Sequence, residues 1–594
     1  MFSIKWLHRP ILWLKQKLTR NQFLIFAGIA VGLTAGMASV ILKTLVHYLH
    51  RFFTIDLPYN SDRYLVYFLP LLGILSCVFI TIYFFKGRDG RGIVNILNDI
   101  ATRSSLVDRT KMYSQIITSS LTIGLGGSAG LESPIAVTGS AIGSNFGKVY
   151  GLNYKDRTLL LASGAAAGIA GAFNAPVTGI MFAVEVLLAG IGITEFIPLI
   201  IASVCGALCT KIIFNENILF QFKELQEFNY WNVPFYVLLG VFCGLLSIYY
   251  AFMSGKIEHA FEKTNSKPYL KAIAGGLILI ALYFVFPPLM GEGYESVKKL
   301  ANQEAIDVFA TSWMGTKLPS TVWIVTLFVG IVGLVKVFAT SVTISSGGNG
   351  GNFAPSLFMG AYVGYFFSSF FNLLGFDRQL PVSNFTLVGM AGILSGVMYA
   401  PLTGIFLIAE ATGGYDLMIP LMIVSVSAYL IARSTHHYSM DTRKLAEKGE
   451  IFTFDRDRNL LTSIKMAEFL DNSQKTLTPD NNLAELVRLF RTNRQERFAI
   501  VNEKGELEGM ISFDDIRDEI FSHDNQDTLL LKEYMKKPAA VINIYESMES
   551  IMHKFDETKT WHLPVVDNGK YKGLVSKSAI LNSYRKQLII HSGK

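Results

Sequence analysis

The sequence predicts an all-α polytopic membrane protein that ends in a small soluble α/β module. Three observations carry this: a membrane-like composition confined to the first part of the chain, apolar runs interrupted by glycine clusters, and two separate internal duplications. The chain has 594 residues, 51% hydrophobic and 17% charged, with a net charge of +7 and a mean hydropathy of +0.37. Asp, Glu, Lys and Arg number 50 in residues 1–440 and 49 in residues 441–594, about 11% against about 32%. The first part is too apolar for a soluble fold and the second is ordinary for one. A soluble enzyme, a disordered chain and a nucleic-acid-binding domain are thereby excluded for residues 1–440.

From the N-terminus, Lys5, Arg9, Lys15, Lys17 and Arg20 precede an apolar run from Phe23 to about Leu49. The run exceeds a signal-peptide core and lacks a convincing cleavage site, so it reads as a retained first membrane helix with residues 1–22 in the cytoplasm. Further long runs cover 64–85, 158–189, 232–253, 269–290, 321–344 and 385–411, against the roughly 20 residues that span a bilayer. Between runs stand the glycine clusters Gly124–Gly130 and Ser345–Gly351. Irregular backbone at membrane depth is tolerated only where protein buries it or it lines a polar cavity. Broken helices here point to a transport pathway. Cys77, Cys205, Cys209 and Cys243 all lie in apolar stretches, which argues against a disulfide framework or a metal site.

Gly164–Glu185 matches Gly389–Glu410 at a constant offset of 225, with 9 of 22 positions identical. The identities include Ala175-Pro176 with Ala400-Pro401 and Thr178-Gly179-Ile180 with Thr403-Gly404-Ile405. Upstream, Gly130, Pro134, Gly139 and Gly143 match Gly351, Pro355, Gly360 and Gly364 at an offset of 221. Packing needs alone make glycine-rich helices look alike, but two collinear matches in one order indicate duplication. Interrupted segments at corresponding places in two halves mark a substrate site between them. The soluble part is duplicated as well: Phe498–Ile516 parallels His562–Ile580 at an offset of 64, each reading strand, turn, strand, helix start.

The chemistry follows by elimination. The ten histidines lie outside the apolar spans or at their edges, and there is no HExxH, so an intramembrane enzyme is disfavoured. The run Ser345–Gly351 lacks the Gly-Lys-Ser/Thr ending of a phosphate-binding loop. Acidic residues in the broken segments are too few for a cation channel built on carboxylate rings. An anion can instead be held by backbone N–H groups at helix N-termini, which carry roughly half a positive charge. The two halves supply such starts at Gly130-Leu131-Glu132-Ser133-Pro134 and Gly351-Asn352-Phe353-Ala354-Pro355. Each has proline in the first turn, where its missing N–H costs nothing.

At these residues the sequence resembles the CLC family of chloride channels and chloride/proton exchangers. The Gly130 segment looks like the family's glycine–x–glutamate–x–proline gate motif, and the Gly351 segment is similar to its glycine–x–phenylalanine–x–proline anion motif. Tyr438 resembles the tyrosine whose hydroxyl faces the central anion. The resemblance implies a CLC-type inverted repeat with broken helices over 23–440, in halves of about 23–215 and 230–440. It further implies a linker at 441–460 and a cytoplasmic pair of CBS domains at 461–525 and 526–590. It implies a homodimer in a lipid bilayer, a multi-pass plasma-membrane protein with both termini cytoplasmic, chloride as bound substrate, protons as a second substrate in the exchanger branch, no required cofactor and no metal.

Glu132 is then the gate: ionised, it occupies the anion position, and protonated, it withdraws. The alternative is a structural carboxylate bonding its own helix start. Gly130, Gly351, Asn352 and Phe353 are expected to bind the anion, Asn352 and Phe353 through backbone N–H groups; a core turn and an interfacial tyrosine are the plain alternatives for Asn352-Phe353 and Tyr438. Two departures matter. The family's first anion motif, glycine–serine–glycine–isoleucine–proline, aligns with Gly90-Arg91-Gly92-Ile93-Val94, which makes Arg91 and Gly92 anion-site candidates and leaves selectivity among anions open. The internal proton-transfer glutamate aligns with Val186, which cannot relay a proton and favours a channel over an exchanger. Glu185 has a repeat partner in Glu410, which favours a structural role for both. In the CBS pair, Asp515 matches the aspartate that binds nucleotide ribose in such modules, whereas Ala579 stands at its repeat position; an adenine nucleotide site and a purely structural module are the two readings. The rivals from other classes are a CBS-regulated divalent-cation channel and a membrane-anchored nucleotide sensor.

Overall fold

The computed structural model describes residues 5–53, 63–87, 92–188, 196–214, 228–264, 266–375, 379–447, 466–471, 474–492, 495, 497–520 and 528–592. Arg91 and most of the 441–460 segment lie outside these. The chain divides into two compact units, residues 1–447 and 448–594.

The first unit is helical among its described residues. In order come α1 (Lys5–Lys17), α2 (Arg20–Arg51), α3 (Leu69–Tyr83), α4 (Ile93–Thr102), α5 (Lys111–Gly124), α6 (Glu132–Val149), α7 (Tyr154–Phe173), α8 (Pro176–Phe182) and α9 (Ile197–Phe214). There follow α10 (Val233–Lys263), α11 (Pro268–Val285), α12 (Tyr294–Ala301), α13 (Ala305–Ala310), α14 (Trp313–Lys317) and α15 (Val322–Ser345). The last are α16 (Phe353–Leu373), α17 (Val382–Met398), α18 (Pro401–Thr412), α19 (Met418–Thr435) and α20 (Met440–Glu447). Six helical segments among the described residues are long and apolar enough to cross a membrane: Arg20–Arg51, Val66–Tyr83, Tyr230–Lys263, Pro268–Val285, Val322–Ser345 and Met418–Arg443.

Two of the long apolar runs, 158–189 and 385–411, are not single spans. Each is cut in two by the same device. α7 ends at Asn174 (φ 54) and α17 at Tyr399 (φ 56), both left-handed. The next residues, Ala175 (φ −131, ψ 86) and Ala400 (φ −126, ψ 69), leave the helical region, which the proline that follows each of them disfavours. Left-handed backbone at a non-glycine residue costs about 1–2 kcal/mol, so both breaks are held by packing around them.

The duplication is visible contact by contact. α6 lies against α7 so closely that a Cβ on Gly139 would strike the Gly164 carbonyl, and one on Gly143 the Leu160 carbonyl. α16 lies against α17 in the same way, Gly360 on the Gly389 carbonyl and Gly364 on that of Phe385. Without a hydrophobic force between helices in lipid, such close approach supplies the packing energy.

The second unit holds two three-stranded sheets of one topology. β1 (Thr476–Leu477), β2 (Arg497–Val501) and β3 (Leu507–Ser512) form the first, and β4 (Ile542–Asn543), β5 (His562–Asp567) and β6 (Lys570–Ser576) the second. In each, the first pair is parallel and the second antiparallel. The ladders correct the constant offset of 64. Arg497 faces Ser512 while His562 faces Ser576, so β2 and β5 correspond at 65 and β3 and β6 at 64. The second hairpin turn is one residue shorter. Strand side chains alternate faces, so burial follows the ladder: Phe498 and Leu563 are the equivalent core residues, not Phe498 and His562.

Candidate functional site

The two glycine clusters meet. Gly130 and Gly351 form an antiparallel bridge, the Gly130 N–H donating to the Gly351 carbonyl at 2.9 Å and the Gly351 N–H to the Gly130 carbonyl at 2.8 Å. Two residues before each glycine, the loops exchange matched bonds: Ser128 N–H donates to Thr343 Oγ1 (3.2 Å), and Asn349 N–H to Thr122 Oγ1 (3.0 Å). These pairs relate the repeats by an approximate twofold. The amides of Gly130 and Gly351 are consumed by each other. These glycines therefore join the two motifs and do not donate to an anion, which corrects their expected role.

The donors left at the site come from the helix starts. In α16 the first intrahelical bond runs from Ser356 N–H to the Asn352 carbonyl, so the N–H groups of Asn352, Phe353 and Ala354 precede it. The side chains of Asn352 and Phe353 are used elsewhere. Asn352 Oδ1 accepts from Tyr250 Oη at 3.1 Å; the buried Phe353 ring packs on Phe173 and Phe182, with centroids 5.6 and 6.2 Å away. A backbone role is the one left open to both.

Glu132 begins α6 and is 2% exposed. The N-cap residue, Leu131, has no side chain that can cap the helix. Glu132 Oε1 accepts from Tyr294 Oη at 2.7 Å. Its Oε2 is buried without a hydrogen bond of good geometry and faces the amides of Glu132 and Ala354. A Cβ on Gly130 would strike Oε2 and come within 3.0 Å of Ala354 N. The carboxylate thus sits at the start of α16, where helix amides favour a negative charge.

The remaining candidates are spread more widely. Gly92 caps α4 with φ 79 and open space where a Cβ would be. α20 packs against α4, which brings the turn holding Tyr438 toward that helix. Tyr438 is 42% exposed, and the tyrosine whose hydroxyl reaches this turn is Tyr399, donating to the His436 carbonyl at 2.7 Å.

Val186 lies in a π-helical turn, Ala183–Leu187, that follows α8. Beside it, Glu185 caps the other repeat: its Oε1 accepts from Leu402 N–H (2.8 Å), and its Oε2 from Thr403 N–H and Oγ1 (both 2.7 Å). Glu410 returns the same set to Val177 and Thr178 at 2.7–2.9 Å. Bonds to a carboxylate contribute about 1.5–3 kcal/mol each, fewer when counted together. Glu185→Ala and Glu410→Ala are therefore each expected to cost roughly 3 kcal/mol, read as lowered thermal stability in detergent. Loss in one variant without the other would contradict the symmetric capping.

Sequence reasoning missed Glu292, Tyr294, Lys336 and Tyr250. Glu292 Oε1 accepts from Leu131 N–H at 3.2 Å. The buried Lys336 donates to the carbonyls of Leu289 (3.0 Å) and Gly291 (2.9 Å) and lies 4.5 Å from the Phe358 ring centroid. The available signal was Gly291-Glu292-Gly293, an acid between glycines directly after an apolar run.

In the second unit, Asp515 is already engaged. Its Oδ2 accepts from Ser512 N–H (2.8 Å) and Oγ (2.6 Å), and its Oδ1 meets Lys536 Nζ at 2.7 Å. Partial burial pushes this carboxyl up, but the Lys536 ammonium and the Ser512 donors outweigh it and hold it below the ordinary range. A depressed folded value means stability present above the unfolded pKa of about 3.9 and lost as pH falls through the folded one. Asp515→Asn is expected to cost about 1 kcal/mol at neutral pH and to remove part of the acid sensitivity of this unit below about pH 4. Denaturant unfolding across pH checks it; an unchanged profile would contradict it.

The sequence model of the voltage gated chloride channel (CLC) family matches residues 72–433, and that of the CBS domain matches 468–522 and 531–586. A ClcB-like chloride channel protein of Ralstonia nicotianae is 28% identical over 373 residues, 62% of this chain and 82% of that one. The H(+)/Cl(-) exchange transporter ClcA of Vibrio vulnificus is 30% identical over 319 residues, 52% of this chain and 64% of that one. Among solved structures, a slow cyanobacterial Cl-/H+ antiporter aligns with a TM-score of 0.60 at 21% identity, over 73% of this chain and 99% of that one.

Proposed function

The chain belongs to the voltage gated chloride channel (CLC) family, and from that premise we propose that it exchanges chloride for protons across a membrane, with Glu132 as the shared gate. The observation that carries this is the buried Glu132 carboxylate at the start of α16, its Oε2 turned to backbone amides. Chloride and the carboxylate compete for the same N–H groups. Protonation neutralises the carboxyl, weakens its hold and opens the position to chloride. The relatives that exchange chloride for protons support this reading over the passive channel to which Val186 pointed, since a buried gate that takes up a proton on each release already couples the two ions. Glu185 is engaged in capping and is left out of the proton path.

The working unit in this reading is a homodimer in the plasma membrane, with both termini and the CBS pair in the cytoplasm. An adenine nucleotide at the CBS pair would have to compete with Lys536 for Asp515. The exchange reading is tested with purified protein in chloride-loaded liposomes, efflux being started by valinomycin while external pH is recorded. The expected result is a rise in external pH that accompanies chloride efflux. Efflux with no pH change would replace exchange by a channel.

A further inference from the structure

The gate glutamate has a neighbour of its own kind. Glu292 sits in the short connection between α11 and α12, and the structure holds it there from three sides. Gly291 N–H donates to the Gly126 carbonyl at 3.1 Å, beside the loop that leads to Glu132. Lys336 clamps the carbonyls of Leu289 and Gly291. Glu292 Oε1 takes the Leu131 N–H, one residue before the gate. Two residues on, Tyr294 gives its hydroxyl to Glu132 Oε1. One three-residue stretch, Glu292–Tyr294, thus touches the gate segment twice.

We propose that Glu292 is a second carboxylate of the gate, which passes protons between the aqueous mouth and Glu132. This deepens the reading of Glu132 as the gate and rests on it. Three observations support the assignment. Glu132 is almost fully buried, whereas Glu292 is only half-buried, so of the two it is Glu292 that borders solvent. Glu132 Oε2 is buried and short of a hydrogen bond, leaving it able to accept a proton. The charges facing Glu292 come from each element around it: Glu132 on α6, Tyr294 on α12, Lys336 on α15 and Lys43 on α2. The two lysines offset the negative charge of whichever carboxylate is ionised as one proton moves between them.

The step is a simple transfer. The O–H bond of the Glu292 carboxyl breaks and an O–H bond forms on a Glu132 carboxylate oxygen, leaving Glu292 ionised until water at the mouth reprotonates it. The mouth concerned is the one near the C-terminal end of α2. Lys43 faces both carboxylates, and His50, two turns further along α2, faces Glu295 of α12. With the basic N-terminus of α2 in the cytoplasm, this is the outer side.

The plain alternative is that Glu292 only caps the start of α6. Glu292→Gln separates the two, because glutamine keeps an oxygen for Leu131 N–H but cannot carry the proton. The experiment steps external pH on liposomes holding wild type, Glu292→Gln, Glu292→Asp or Glu132→Gln and follows how fast chloride efflux adjusts. The relay predicts a slowing of at least about tenfold in Glu292→Gln, recovery in Glu292→Asp, and no adjustment in Glu132→Gln. An adjustment in Glu292→Gln as fast as wild type, with Glu132→Gln flat, overturns the relay alone. Equal slowing in Glu292→Gln and Glu292→Asp, or loss of efflux in both, overturns it too, since geometry then sets the rate. A full pH response in Glu132→Gln overturns the gate and the relay together.

Discussion

Glu132→Gln is expected to give chloride transport that no longer responds to pH and no longer moves protons. Glutamine has nearly the shape of the protonated acid, so the variant stays in the form that the gate adopts when released. In the proposed gate, the carboxylate's charge lets it compete with chloride for backbone amides, those of Glu132 at the start of α6 and Ala354 at the start of α16. An uncharged amide competes poorly, because the attraction of a helix N-terminus is for negative charge. The Tyr294 hydroxyl, now 2.7 Å from Oε1, keeps an oxygen to donate to, so the fold around the gate is maintained. The wild type is expected to change its chloride flux several-fold between pH 4 and pH 7.5, and the variant to stay flat. Flux assays in liposomes at matched protein content measure this directly, and a variant that tracks wild type across that range would remove Glu132 from the gate.

The second large effect is on folding. Gly164→Val is expected to prevent accumulation of folded protein. A Cβ at Gly164 would strike the Gly139 carbonyl on the facing helix, with a backbone atom, Gly143 N, at 3.3 Å. Backbone cannot move aside as a flexible side-chain end can, and overpacking of this kind costs typically 1–3 kcal/mol or more. Here α6 and α7 would separate, and α6 carries Glu132. The repeat predicts the same for Gly389→Val, where the added carbon would strike the Gly360 carbonyl. Gly255 on α10 is the control: nothing lies within 4 Å of its Cβ position, so Gly255→Ala should be neutral or stabilise by about 0.5–1 kcal/mol. Monodisperse protein after size exclusion reads all three, and normal yield of Gly164→Val would contradict the close crossing.

These two predictions draw on different amounts of sequence information. The glycine matches at offsets 221 and 225 were legible in full, because close crossings need the smallest residue at fixed positions and leave a pattern. The pairing of Gly130 with Gly351 was implied by their matched motifs, although the consumption of their amides was not. A hydrogen bond between two loops 221 residues apart has no periodicity to read. The breaks at Asn174 and Tyr399 were hidden inside apolar runs, yet each was announced by Ala-Pro at matching places. Glu292 was missed for a different reason. It belongs to neither repeat motif and acquires meaning only when folding lays its short connection on Leu131. In the tail, duplication was clear, but the shorter second turn shifted β5 by one residue, a slip that only the ladder reveals.

The central claim is that one buried carboxylate couples chloride to protons. The most direct measurement uses liposomes with a chloride gradient and no proton gradient, with internal pH recorded by a trapped dye and the membrane voltage clamped to zero by potassium and valinomycin. Coupling predicts that chloride running down its gradient drives protons the other way, building a pH difference that collapses on adding a proton carrier and is absent in Glu132→Gln. Chloride movement that leaves internal pH unchanged in the wild type would contradict it.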